Sequence, residues 1–139
     1  MNENEIARQI VDAAFNIHTT LGPGLLESAY QAVLIYELRK RGLLVEAEKP
    51  VPVKYESVQL DIGFRADLVV EDKVIVELKS IEQIASVHKK QLLTYLRLAD
   101  KRLGLLINFG APLIKDGITR IVNHLDETPS FNPSSKKNS

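Results

Sequence analysis

Apolar residues at Ile6, Ile10, Ala13, Ala14, Ile17 and Leu21 recur close to helical spacing and predict an amphipathic helix over "ENEIARQIVDAAFNIHTTLG". It should end at "LGPG". A second helix is expected to begin near Pro23, because proline suits a first helical turn, and to run through "LLESAYQAVLIYELRKR". Arg39, Lys40 and Arg41 complement the negative end of its dipole, and Gly42 is a natural stop. From Val51 the period changes to two: Val51, Val53 and Tyr55 alternate with polar residues, and Pro50 and Pro52 suggest an edge strand.

After a turn near Glu56-Ser57, Val58, Leu60, Ile62, Phe64, Ala66, Leu68 and Val70 fill the even positions of a long strand. Its odd positions, Asp67 among them, are mostly polar, so one apolar and one polar face are expected. "EDK" makes the next turn and "VIVELKS" is the third strand. "IEQIASVHKKQLLTYLRLADKR" is amphipathic at helical spacing, with a start at either Ser80 or Ser86. "LGLLINF" reads as a strand covered on both faces, and "KDGITRIV" as a short strand after an Asp-Gly turn. The order α-α-β-β-β-α-β-β makes a mixed sheet flanked by helices. One domain over residues 1–125 is expected, followed by a flexible polar tail at 126–139, "DETPSFNPSSKKNS".

Composition changes this picture little. With 18 basic and 18 acidic residues, net charge does not advertise a nucleic-acid partner, so any such partner must be argued from local chemistry. The chain has no cysteine, which removes disulfides and Cys-based zinc sites and suits a reducing compartment. "MNENEIARQ" does not read as a signal peptide, and no run of about eighteen apolar residues is present. The expectation is a cytoplasmic protein without a membrane partner.

The third strand raises the chemical question. Glu77 and Lys79 sit two apart in an otherwise apolar strand and so share a face. A three-residue loop, Glu71 to Lys73, would pair Val70 with Val74 and set Asp67 opposite Glu77; a two-residue loop would put the two carboxylates on different faces. Adjacent carboxylates repel unless a proton or cation lies between them. Oxygen ligands favour magnesium or manganese. Lys79 would orient or deprotonate a water, or neutralise phosphate charge. The plainer alternative is a salt bridge at a strand end.

Two helical stripes extend the constellation: Gly24, Glu27 and Tyr30 at G-x-x-E-x-x-Y spacing, and His88, Gln91 and Tyr95 on one face of the later helix. "GLLESAY", "FRAD", "VELKS", "QLLTYL" and "GLLINFG", in that succession, resemble the GxxExxY family of the PD-(D/E)XK nuclease superfamily over about Ile6 to Val122. The superfamily's proline is replaced by Ala66. The resemblance implies an α/β, restriction-endonuclease-like core that hydrolyses phosphodiester bonds of DNA or RNA with Mg2+ or Mn2+.

It further implies that Asp67, Glu77 and the Leu78 backbone carbonyl hold the metal, that Glu27 reaches it, and that Lys79 is the catalytic lysine. Gln91 and Tyr95 would position nucleic acid or support the site, with Tyr30, Arg65 and His88 as further supporting or substrate-contacting residues. Each has a plainer reading. Tyr30 suits a core aromatic with a bonded hydroxyl, His88 a solvated helix residue, and His18 carries no assigned chemistry. Lys89, Lys90, Arg97, Lys101 and Arg102 are candidate phosphate contacts or simply a solvated helix face. An inactive nuclease-fold module that binds nucleic acid or protein is the alternative function, and a homodimer is left open.

Overall fold

The computed structural model describes residues 1–125, so the tail expected at 126–139 lies outside the described residues. Helix α1, Glu3–Leu21, starts at Asn2, whose side chain accepts the Glu5 N–H at 2.8 Å while the Glu5 carboxylate accepts the Asn2 N–H. Its predicted stripe is buried at Ile6, Ile10, Ala13, Ala14 and Ile17, but Leu21, the last member at the helix end, is exposed. Helix α2, Glu27–Lys40, begins later than its proline suggested. Gly22 adopts φ 74° and Leu26 is extended, so Pro23, Gly24 and Leu25 stay in a loop. Gly42, at φ 85°, ends α2 as foreseen: its N–H reaches Arg39 O and the Leu43 N–H reaches Leu38 O, the paired bonds of a Schellman turn.

Strands β1 (Val45–Tyr55), β2 (Val58–Val70), β3 (Val74–Lys79), β4 (Leu103–Asn108) and β5 (Ile118–Val122) form a five-stranded sheet in the order β1-β2-β3-β4-β5. All neighbours pair antiparallel except β3 and β4, which are parallel. The sheet is therefore mixed, and β1 with its two prolines is an edge as expected. β1 starts six residues before the alternation read from Val51: Val45 and Ala47 hold the same parity, but Lys49 interrupts the rhythm. Helix α3, Ser86–Ala99, takes the later of its two predicted starts. Lys115-Asp116-Gly117 belong to a one-turn helix α4, Ile114–Gly117, rather than to a hairpin turn, and β4 reaches β5 through a nine-residue connection, 109–117.

Helices α1 and α2 cover one sheet face, meeting Leu68, Val70, Val74, Val76 and Leu78. Helix α3 covers the other with Leu92 and Leu96, over Ala66, Val69, Ile75 and Leu106. Strand β2 thus departs from the single apolar face read from its alternation. Ala66 packs on the α3 side, whereas Leu68 and Val70, at the same parity, pack on the opposite side. The change falls at Asp67. There the ladder with β1 passes from Ala47↔Leu68 to Lys49↔Ala66 with no rung between Glu48 and Asp67, and Glu48 stands at φ 52°. Beyond this kink the β1–β2 hairpin leaves the core, so Tyr55, Val58 and Leu60 are exposed. No helix among the described residues is long and apolar enough to cross a membrane.

Candidate active site

The β2–β3 loop has the three-residue form: Val70 pairs with Val74, Val69 with Ile75 and Leu68 with Val76, and there the ladder stops. Asp67 and Glu77 are the next opposing positions, at the fork where the strands part. Each carboxylate replaces a missing rung by reaching across. Glu77 Oε2 accepts the Asp67 N–H at 2.8 Å, and Asp67 Oδ2 accepts the Leu78 N–H at 2.8 Å. One oxygen of each carboxylate is thereby committed to backbone. Among the described residues no salt bridge joins Lys79 to either carboxylate, so the plain strand-end ion pair is not what these charges form.

Charge is concentrated here under poor solvation. Burial, followed by the Asp67 charge, pushes the Glu77 carboxyl up to about 8. Asp67 is also raised, chiefly by burial; the Leu78 N–H opposes this, Glu27 and Glu48 add repulsion, and Lys79 opposes. Lys79 ends β3 opposite Asn108 on the parallel β4, and its carbonyl accepts the Phe109 N–H at 2.9 Å. The buried Asn108 amide clamps the turn beyond Lys79: Oδ1 accepts the Ile81 and Gly110 N–H groups at 3.0 Å, and Nδ2 donates to Ile81 O at 2.9 Å. A Cβ at Gly110 would run into the Ile81 backbone, so only glycine fits this turn.

Glu27 opens α2, half-buried, and its charge bears on both Asp67 and Glu77. Tyr30 is fully buried and stacks on Phe109 with ring centroids 4.5 Å apart. Its hydroxyl donates to Gly22 O and accepts the Leu25 N–H at 3.1 Å. Of its two expected places, this is support from within the core; a substrate cannot touch it. Leu78 contributes a buried side chain and the N–H held by Asp67.

On α3, the pKa of the Tyr95 hydroxyl is raised by burial and by the Glu77 and Asp67 charges, with the Gln91 side chain opposing. The Tyr95 ring lies on Phe64, centroids 3.6 Å apart and planes within 7°. His88, half-buried at the start of α3, accepts the Ala85 N–H on Nδ1 at 3.0 Å. His18 is buried against Ala111 O at 2.8 Å. Arg65 is exposed and donates to Glu48 O at 3.3 Å. Two of the candidate phosphate contacts are engaged elsewhere: Lys101 binds Asp72 at 3.0 Å, and Arg102 donates to His124 O at 2.8 Å. Lys89, Lys90 and Arg97 are exposed on α3.

Three residues of this neighbourhood escaped the sequence reading. Glu48 lies opposite Asp67 at the kink, and Gln31 Nε2 donates to Glu48 Oε1 at 3.0 Å and to Asp67 O at 3.4 Å. Ser80 Oγ donates to Leu25 O at 2.6 Å. Only the i, i+4 spacing of Gln31 from Glu27 hinted at the first pair, and the Ser80 in "VELKS" at the last.

In donor chemistry the site fits a hard divalent cation. Asp67 and Glu77 each keep an uncommitted oxygen, and their mutual repulsion is what such an ion relieves. As they stand, however, no three His, Cys, Asp or Glu side chains among the described residues are gathered closely enough to hold a metal. Glu27 is thus near the pair without completing a ligand set. A surface hollow of about 640 Å3 between α1 and the β4–β5 edge contains none of these residues.

No curated protein matches the chain, and neither does any solved structure. The family model of the PD-(D/E)XK nuclease superfamily matches residues 4–121, a span that includes both helical stripes, the fork and the whole of β4. With its mixed sheet between helical layers and its paired carboxylates where β2 and β3 part, this chain belongs to the PD-(D/E)XK nuclease superfamily.

Proposed function

We propose that the protein is a nuclease of the GxxExxY kind that hydrolyses phosphodiester bonds of DNA or RNA with Mg2+ or Mn2+, in the cytoplasm. The observation that carries this reading is the fork itself: two half-buried, mutually repelling carboxylates with Lys79 two residues beyond one of them. A bound divalent cation supplies positive charge that acidifies water and offsets phosphate charge. The chain does the rest by positioning. Asp67 and Glu77 would hold the cation through their uncommitted oxygens, and Glu27 would move from the start of α2 to join the oxygen set once the cation is bound.

Lys79 presents a compact ammonium to the phosphate oxygens, where charge grows in the transition state. Gln91 and Tyr95 would position the nucleic acid or support the site from α3, where Lys89, Lys90 and Arg97 are exposed and could meet a phosphate backbone. A second reading, a binding module on the same fold, is favoured by the carboxylates themselves: both are already bonded to backbone N–H groups, and no three-ligand group is assembled among the described residues.

Calorimetric titration with Mn2+ separates the two readings. The nuclease reading expects binding by the wild type and its loss in Asp67→Ala and Glu77→Ala. Full affinity in both variants sinks it, and no binding by the wild type moves the assignment to the module.

A further inference from the structure

The loop that delivers Glu27 to the fork is held in an unusual way. Leu26, the N-cap of α2, offers no capping side chain, and both Leu25 and Leu26 are exposed, so apolar burial does not fix this end of the helix. Instead, both main-chain polar groups of Leu25 are bonded by side chains from outside the loop. Its N–H goes to the Tyr30 hydroxyl at 3.1 Å, and its carbonyl accepts from Ser80 Oγ at 2.6 Å. Tyr30 belongs to α2 itself and is locked by its stack on Phe109. Ser80 is different. It directly follows Lys79 at the end of β3, three residues after Glu77. Its bond is thus a direct tie between the strand that bears Glu77 and Lys79 and the loop that bears Glu27.

We infer that Ser80 is a positioning residue that registers Glu27 against the Asp67–Glu77 pair by holding the Leu25 carbonyl. The inference rests on the metal-site reading above. Alone, Glu27 sits on a helix end that nothing else ties to β3 by a side-chain hydrogen bond among the described residues. With Ser80 in place, the carboxylates of α2 and β3 keep a fixed relation, which a cation shared between them requires.

The test is Mn2+ affinity together with amide hydrogen exchange in wild type, Ser80→Ala, Ser80→Thr, Glu27→Gln and the Ser80→Ala/Glu27→Gln double variant. In the absence of metal, exchange at Leu25 and Leu26 should accelerate in Ser80→Ala while that of β4 stays unchanged. Mn2+ affinity should fall roughly three- to tenfold, the worth of one hydrogen bond, and Ser80→Thr should restore it. In the Glu27→Gln background, Ser80→Ala should cost no further affinity, an outcome a merely structural role does not give. Unchanged exchange at Leu25 and Leu26 refutes the tie. Wild-type affinity in Ser80→Ala, or the same loss with and without Glu27, refutes the positioning role. No Mn2+ binding by wild type defeats the metal-site reading itself and the positioning claim with it.

Discussion

Asp67 and Glu77 satisfy one another's strands. The Glu77 carboxylate takes the Asp67 N–H and the Asp67 carboxylate takes the Leu78 N–H, both at 2.8 Å, at the point where the β2–β3 ladder ends. Two acidic side chains therefore perform the work of backbone rungs while repelling one another in a half-buried setting. Function and fold are in opposition at this pair, and substitutions should separate the two.

Glu77→Gln keeps an oxygen to accept the Asp67 N–H but removes the charge. Its thermal midpoint at pH 8 without divalent cation is expected to equal or exceed that of wild type, while Mn2+ affinity falls at least tenfold. Glu77→Ala leaves the Asp67 N–H without its partner and should destabilise by about 1–3 kcal/mol. Denaturant titration of the two variants checks the contrast. Equal destabilisation by both would show that charge, not hydrogen bonding, governs the fork.

The pH dependence follows from the raised carboxyls. Glu77 titrates at about 8 in the folded protein against 4.5 ordinarily, so between these values the folded state holds a proton that the unfolded chain releases. Stability must then fall as pH rises through this window and level off outside it. Asp72 and Glu37, held below the ordinary range by their bonds to Lys101 and Arg41, act only at more acidic pH. Without divalent cation, the thermal midpoint is expected to drop by about 5–10 °C from pH 5 to pH 8, and Glu77→Gln should flatten the slope. A wild-type midpoint that does not fall across this range contradicts the assignment.

Asn108 should be among the costliest polar residues to lose. Its amide makes three bonds that fix the turn beyond Lys79, so Asn108→Ala is expected to destabilise by about 2–4 kcal/mol and to lower cleavage through disorder around Lys79. Unfolding in urea, with cleavage assayed well below the midpoint, tests both parts.

Tyr95→Phe removes the hydroxyl on which the Glu77 and Asp67 charges bear and keeps the stack on Phe64. Stability should change by less than about 0.5 kcal/mol, whereas cleavage should fall about tenfold. Tyr95→Leu, which loses the stack as well, should cost about 1–2 kcal/mol of stability. A Tyr95→Phe variant that cleaves as well as wild type would leave the tyrosine a packing role alone.

Much of this arrangement was legible in the chain. Most of the α1 stripe and the edge position of β1 follow from periods of 3.6 and 2 and from two prolines, whereas the opposition of Asp67 to Glu77 hung on a loop length that the sequence left open between two and three residues. What stayed hidden was non-periodic. Nothing in "VEAEKP" announces that Glu48 turns left-handed opposite Asp67, so neither the change of face in β2 nor the Gln31 bridge could be read. Pro23 signalled a helix start, but Tyr30 and Ser80 hold its neighbours in a loop, a tertiary effect that outweighs local preference. Asn108 is one polar residue in an apolar strand, and the two residues its amide bonds, Ile81 and Gly110, lie in loops beyond β3 and β4, where no periodicity points to them.

The most direct measurement is cleavage of labelled single- and double-stranded DNA and RNA with Mg2+ or Mn2+, comparing wild type with Lys79→Ala. The account predicts cutting that needs the cation and is lost in the variant, with the substrate class read from the same gel. Cutting that is equal in both proteins, or none by wild type on any of these substrates, would contradict it.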